Sequence, residues 1–268
     1  KMETEEHRSL LLKWAKASES KIRICALLDL AKSIPGMPID PDDFDHHSYL
    51  LNVKNGTVDL LTGVLLNHQP NLFLTKISPC NYERSTAQFD AQSCPKWISL
   101  LNEIFQYDVE MIEFIQRAVG YTLTAEVSER VVFALLGKGK NGKSTVIDTL
   151  SSILGDDFSC KLPMQSLMQK RSGTVPNDLA ALRGIRFAYS SETECNSEFA
   201  EGIMKDITGN ERISARFLYG EFFNFKPHCK LWMSMNHKPI VRGTDDGIWD
   251  RILLIPFDYR IPEDKINR

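Results

Sequence analysis

The chain has 268 residues, 43% of them hydrophobic and 25% charged, with a formal net charge of −3. No apolar run approaches the roughly 20 residues that a membrane-spanning helix needs, and the first residues are too charged for a signal peptide. The near-neutral charge also gives no support to a broad basic face for coating duplex DNA.

The N-terminal half predicts a mainly helical region that contains one small β-hairpin. Apolar residues at helical spacing predict a helix over residues 4–34. Short strands over residues 49–66 are separated by an Asn-Gly and a Thr-Gly turn, which is typical of a hairpin. Helical periodicity returns at 97–105 and 109–119, and Gly120 is expected to end the last of these helices.

The pattern changes after about residue 128. The continuous apolar run at 131–136 is typical of a strand buried on both faces of a parallel sheet. A glycine-rich loop and an amphipathic helix closed by Gly155 follow, and further buried strands are predicted at 185–190 and 230–235. Strands that alternate with helices predict an α/β fold with a mostly parallel sheet. The predicted domains are an accessory domain, 1–128, and an α/β domain, 129–268.

The glycine-rich loop, GKGKNGKS at 137–144, matches the pattern GxxxxGK[ST]. Glycines let consecutive backbone N–H groups curl around phosphate oxygens. Lys143 can reach the β- and γ-phosphates, Ser144 offers a hydroxyl to Mg²⁺, and the helix N-terminus adds partial positive charge. The residues expected to bind the nucleotide are Gly137, Lys138, Gly139, Lys140, Asn141, Gly142, Lys143, Ser144 and Thr145.

Polar side chains at two strand ends supply further candidates. Glu192 follows the strand at 185–190, and a carboxylate there can hold Mg²⁺ or polarise the attacking water. Glu194 could share this work, and because Ser191 stands where many phosphate-loop enzymes have Asp, the division of roles stays open. Asn236 follows the strand at 230–235 and can orient water near the γ-phosphate, although Asn is also a common turn former.

Two cationic features follow along the chain. Arg251, held by apolar neighbours, can stabilise transition-state charge in a neighbouring subunit, or form an ion pair with Asp250 or Asp246. Residues 205–227 predict a hairpin around Tyr219 with interleaved cations and aromatic rings. Such a segment suits gripping a single nucleic-acid strand, and aromatic core packing is the competing interpretation. Its candidate DNA contacts are Lys205, Arg216, Tyr219 and Lys226.

These motifs occur in the order seen in superfamily 3 helicases: GKGKNGKS, SETE, K-ITGNE-ISARFLYGEFFNFKP, KLWMSMNHKP and GIWDRILLIPF. The chain resembles the phage and plasmid primase–helicase branch, which includes the poxvirus primase–helicase, over about 131–260. The preceding region resembles that family's accessory domain. The resemblance implies an AAA+-type P-loop fold, ATP hydrolysis with Mg²⁺, a hexameric ring and translocation along single-stranded DNA during replication.

The resemblance also implies residue roles. The matched positions are Lys143 and Ser144 as the Walker A pair, Glu192 as the Walker B acid, Asn236 as sensor 1, and Arg251 as the arginine acting across the subunit interface. The hairpin tip carries Gly-Glu where a basic tip is usual, so the DNA-contacting residue stays open.

Family members normally carry an upstream primase domain and further sequence after the motor. The chain therefore looks like a fragment of a phage, prophage or plasmid protein, in which ring formation is expected to be impaired. Six cysteines lie far apart without a CxxC pair, which favours reduced thiols in a cytoplasmic protein. The resemblance to phage and plasmid proteins implies that the cell is a bacterial host.

Two other functions remain open from the residues alone. A nucleotide-dependent DNA-loading or assembly module would bind ATP without processive unwinding. A phosphate-loop small-molecule kinase would need an acceptor pocket, and the sequence shows none.

Overall fold

The computed structural model describes residues 5–84, 94–169, 177–191, 199–238 and 246–263. Contacts divide the chain into two compact units, Lys1–His46 and His47–Arg268. The predicted domain boundary near residue 128 lies inside the second unit and stays a prediction.

The first unit contains two helices, α1 (Glu5–Ser18) and α2 (Lys21–Ala31). The prediction of one helix over 4–34 is wrong, because Ser20 adopts an extended conformation (ψ 138°) and starts α2 as its N-cap. Neither helix contains a buried residue. Their large exposed apolar side chains are Leu10, Leu11, Leu12, Trp14, Ile22, Ile24, Leu27, Leu28 and Leu30.

The second unit begins with a small antiparallel sheet, which confirms the hairpin predicted near residues 49–66. Its strands are β1 (Leu50–Val53), β2 (Gly56–Asp59) and β3 (Val64–Leu66), in the order β1-β2-β3. Gly56 has φ 154°, and a Cβ atom there would lie 2.3 Å from the Leu66 carbonyl oxygen. The first turn therefore requires glycine.

Two helices follow, α3 (Pro95–Ile104) and α4 (Val109–Leu123). The Asp108 carboxylate caps α4 by accepting a 3.1 Å hydrogen bond from the Met111 amide. Gly120 lies inside α4, so the prediction that it ends this helix is wrong. An interior glycine costs about 1 kcal/mol, and the burial of Ile115 and Ala118 on the same helix outweighs that cost.

The remaining elements form the α/β part of the unit. In chain order they are β4 (Val132–Leu136), α5 (Lys143–Phe158), β5 (Ser159–Lys161), β6 (Phe187–Ser191), α6 (Glu201–Thr208), β7 (Ile213–Ala215), β8 (Phe223–Phe225), β9 (Lys230–Met235), α7 (Asp246–Trp249) and β10 (Ile252–Pro256). Five strands form a parallel sheet in the order β10-β4-β9-β6-β5, and β7 pairs with β8 in a separate antiparallel hairpin. The predicted α/β fold with a mostly parallel sheet is confirmed.

The parallel sheet is covered on both faces. One hydrophobic cluster contains side chains of β4 and β9 together with α6 and the β7–β8 hairpin. The other contains Phe133, Phe187 and Trp232 of the sheet, together with α3, α4, α5 and the small sheet. The Trp232 indole donates a 3.0 Å hydrogen bond to the Thr122 hydroxyl of α4. Helices that precede the sheet in sequence thus share its core.

Candidate nucleotide-binding site

The phosphate-loop motif lies at the carboxyl edge of the parallel sheet, between the end of β4 and the start of α5. Leu136 pairs with Met235 of β9 on one side and with Pro256 of β10 on the other. The Gly137 amide donates a 3.1 Å hydrogen bond to the Met235 carbonyl. The carboxyl edge of an open α/β sheet is where such folds bind ligands.

Two loop glycines are required by close contacts. A Cβ atom on Gly137 would lie 2.2 Å from the Phe257 carbonyl oxygen, and one on Gly142 would lie 2.4 Å from the Ile104 side chain. Gly142 also has φ 85°, in the left-handed region that favours glycine. At these two positions the surrounding atoms therefore leave no room for a Cβ atom.

Lys143 is buried at the first turn of α5, with 5% of its surface exposed. Its ammonium donates to the Gly137 carbonyl and, at 3.1 Å, to Oδ1 of Asn141. Burial lowers the pKa of Lys143. None of the three ion pairs formed by the described residues involves Lys143. A bound polyphosphate would supply the negative charge that favours a buried ammonium.

The neighbouring residues suit a hydrated metal ion. Ser144 and Thr145 are exposed on the first turn of α5, where unpaired backbone N–H groups and the helix dipole attract anions. Mg²⁺ prefers oxygen ligands and retains several waters. The Ser144 hydroxyl and a carboxylate after β6 would form such a ligand set.

The predicted acids, Glu192 and Glu194, lie outside the described residues. The last described residue of β6 is Ser191, which pairs with Ser234 of β9. The end of β6 therefore lies beside the end of β9, its neighbour in the sheet. The acidic site itself stays a prediction.

Asn236 directly follows β9, the strand between β4 and β6. Its side chain is exposed. Because Met235 pairs with Leu136 and neighbouring strands lie about 4.8 Å apart, Asn236 and the loop occupy the same edge of the sheet. The structure therefore brings these two predicted elements together.

Arg251 lies at the opposite edge. It precedes Ile252, which pairs with Val132 at the start of β4. Its guanidinium donates at 3.1 Å to the Gly247 carbonyl and at 2.8 Å to the Thr208 hydroxyl. The structure does not place Arg251 beside the phosphate loop of its own chain, and its predicted role in a neighbouring subunit stays a prediction.

The β7–β8 hairpin divides its aromatic residues between core and surface. Phe225 is buried at its base, whereas Tyr219 at the tip is 99% exposed, with φ 62°. The Arg216 guanidinium lies 4.9 Å from the ring centre of Phe222. Lys226 is exposed, and Lys205 is half-buried on α6. The core-packing interpretation thus holds for Phe225 at the base, and binding of a nucleic-acid strand by the tip stays a prediction.

Sequence reasoning missed the segment after β10, residues 257–263, which lies against the phosphate loop. The Phe257 carbonyl accepts a 2.8 Å hydrogen bond from the Asn141 amide. The Lys140 ammonium lies 2.5 Å from the Glu263 carboxylate. The sequence holds no local signal for these contacts, since the partners are more than 100 positions apart.

Two basic side chains that were not predicted to be buried, Arg186 and Lys230, lie at the amino ends of β6 and β9. Arg186 donates 2.6 Å hydrogen bonds to the carbonyls of Leu123 and Leu50. The Lys230 ammonium donates to the Thr124 carbonyl and, at 3.0 Å, to that of Glu126. Burial, and then the nearby Arg186 charge, lower the pKa of Lys230 to about 7. These contacts join the sheet to β1, to the C-terminal end of α4, where carbonyls carry partial negative charge, and to the residues just after it.

Within the described ranges, none of the helices combines the length and the apolar composition that a membrane-spanning segment requires.

Comparison with known protein families gives two matches. Residues 1–106 match the family described as "D5 N terminal like". Residues 135–251, which contain the phosphate loop and the β7–β8 hairpin, match a family of unknown function, DUF5906.

Curated relatives are viral proteins. The chain is 32% identical over 84% of its length to "Putative helicase L207/L206" of Acanthamoeba polyphaga mimivirus, and 25% identical over 82% to "Putative helicase 121R" of Invertebrate iridescent virus 3. It is 24% identical over 78% of its length to "Putative primase C962R" of African swine fever virus. The chain spans about a quarter of each relative: 24% of the first two and 22% of the third.

Among solved structures, the C-terminal region of NrS-1 in its A form has a similar fold. It aligns with a TM-score of 0.50 and 18% identity, over 64% of this chain and 40% of that one. At this identity the likeness concerns the fold alone.

Proposed function

We propose that this chain is an ATP-dependent replicative DNA helicase module that translocates on single-stranded DNA as a ring. Its D5 N terminal like region and its relation to viral proteins named as helicases and primases support this proposal. The buried Lys143 ammonium in a glycine-rich loop at the carboxyl edge of the sheet is the observation that carries this proposal. Such a site suits the terminal phosphates of ATP.

The proposed hydrolysis divides the work among the predicted residues. Backbone N–H groups of the loop and the Lys143 ammonium hold the β- and γ-phosphates. Ser144 and Glu192 would hold Mg²⁺, which neutralises phosphate charge when bound. Glu192 polarises the attacking water, with Glu194 as its alternative or helper, and Asn236 orients that water from the neighbouring strand. Arg251 of the next subunit stabilises transition-state charge.

The β7–β8 hairpin is the proposed contact with single-stranded DNA. Its exposed tip offers the Tyr219 ring for base stacking. Arg216, just after β7, and Lys226, just after β8 at the base of the hairpin, supply positive charge for phosphates. Lys205, on α6, is the fourth predicted contact. Because stacking tolerates every base, this arrangement suits movement along a strand without sequence preference.

The proposed ring needs surfaces through which copies of the chain associate. The exposed apolar side chains of α1 and α2 are candidates for such surfaces, since burying apolar side chains against a second copy would stabilise the assembly. A hexamer, an upstream primase domain, a phage, prophage or plasmid origin and a place in the host cytoplasm remain parts of this proposal.

We expect single-stranded DNA to stimulate ATP hydrolysis by assembled protein, and Tyr219→Ala to reduce that stimulation at least about fivefold, because a stacking contact is worth about 1–3 kcal/mol. Basal hydrolysis should stay within about twofold. Phosphate release is measured on fractions of known size, with and without DNA. Tyr107→Ala is the matched control, since Tyr107 is also exposed (74%) and has the same φ of 62°.

The outcomes separate the alternatives. ATP binding without phosphate release would favour the DNA-loading module. Hydrolysis by a proven hexamer that DNA leaves unchanged would contradict translocation. Phosphate transfer to a small molecule would identify a kinase.

A further inference from the structure

Asn141, in the phosphate loop, connects two parts of the molecule through one buried amide. Its Nδ2 donates a 2.8 Å hydrogen bond to the Phe257 carbonyl, and its Oδ1 accepts a 3.1 Å bond from the Lys143 ammonium. The residue is 3% exposed. A buried amide needs partners for its donor and its acceptor atoms, and these contacts provide both.

The Phe257 carbonyl belongs to residues 257–263, which we call the strap. The Ile261 amide donates a 2.8 Å hydrogen bond to the Lys140 carbonyl. The Lys140 ammonium in turn lies 2.5 Å from the Glu263 carboxylate. The strap therefore contacts the loop through Phe257 at the start of the strap, Ile261 in its middle and Glu263 at its end. Among these contacts, the one that the Asn141 side chain makes is buried.

We infer that Asn141 is a positioning residue, which orients the Lys143 ammonium toward the triphosphate by linking it to the strap. Lysine has a flexible stem and three rotatable donors, so its ammonium direction is poorly fixed by the stem alone. The Gly137 carbonyl and Asn141 Oδ1 accept from two of those donors, which sets the direction of the group in advance.

The neutral amide is suited to this task. A carboxylate at position 141 would also accept from Lys143, but it would cancel the positive charge and repel phosphate oxygens. It would also face the Phe257 carbonyl with no hydrogen to donate. Asparagine orients the lysine without neutralising it and satisfies the strap carbonyl with the same group.

The inference rests on the proposed nucleotide binding, so the test measures binding and turnover separately. Affinity for MgATP is titrated calorimetrically for the wild type, Asn141→Ala, Lys143→Ala and the double variant. If Asn141 acts through Lys143, its removal should weaken binding about tenfold in the wild-type background and less than about twofold in the Lys143→Ala background. Asn71→Ala, at an exposed asparagine, is the control and should change nothing.

Turnover provides a readout that a merely structural role would not change. Because the Lys143 ammonium contacts the phosphates in the bound ground state and more strongly in the transition state, KM of Asn141→Ala should rise about tenfold, in parallel with the affinity, and kcat should also fall about tenfold. Equal binding losses in both backgrounds, or an unchanged kcat at saturating ATP, would overturn the inference while leaving the proposed function intact. A wild type that fails to bind MgATP would refute the proposed function itself.

Discussion

Replacing Lys143 by alanine is expected to reduce ATP hydrolysis at least about 100-fold, because a preorganised donor to transferring phosphate contributes on that scale. The Lys143 side chain is buried, with 5% of the residue exposed, and that burial lowers its pKa. The measurement is phosphate release at saturating ATP. The folded state of the variant is checked by thermal unfolding without nucleotide.

Lys54→Ala is the matched control for this variant. Lys54 is exposed in the turn between β1 and β2, and its removal should leave hydrolysis within about twofold. Turnover close to that of the wild type in Lys143→Ala would rule out this loop as the catalytic site.

Replacing Arg186 by methionine is expected to reduce the free energy of unfolding by about 2–4 kcal/mol. Methionine fills much of the same space, but the carbonyls of Leu123 and Leu50 each lose a hydrogen bond from a charged donor, worth about 1.5–3 kcal/mol. Relief of repulsion on Lys230, whose pKa Arg186 lowers, offsets part of that loss. Urea denaturation measures the change.

The control for this variant lies three residues away. Arg183 is exposed, with its guanidinium 5.5 Å from the ring centre of Phe223, so Arg183→Met should cost less than about 1 kcal/mol. Equal effects of the two substitutions would show that the hydrogen bonds from Arg186 to the carbonyls of Leu123 and Leu50 do not stabilise the fold.

The features predicted well from sequence are those whose causes are local. The phosphate loop follows a continuous apolar run and precedes an amphipathic helix, and the structure has β4, the loop and α5 at those positions. Lys230–Met235 coincides with the strand predicted at 230–235. In each case a run of neighbouring residues determines the element.

The features that were missed depend on partners far away in sequence. β10 pairs with β4 across about 120 positions, and nothing within GIWDRILLIPF signals that pairing. Sequence patterns assign charged residues to the surface, yet Arg186 and Lys230 are buried because carbonyls at and just after the end of α4 accept hydrogen bonds from them. Gly120 was expected to end α4, but packing of the helix outweighs its local preference.

A structure of the protein with a non-hydrolysable ATP analogue and Mg²⁺ would show whether the loop binds the triphosphate. We expect β- and γ-phosphate oxygens within hydrogen-bonding distance of the loop amides and the Lys143 ammonium, with Asn236 and Glu192 facing the terminal phosphate. A triphosphate bound elsewhere, or an analogue in the loop with both Asn236 and Glu192 directed away from it, would refute the proposed site.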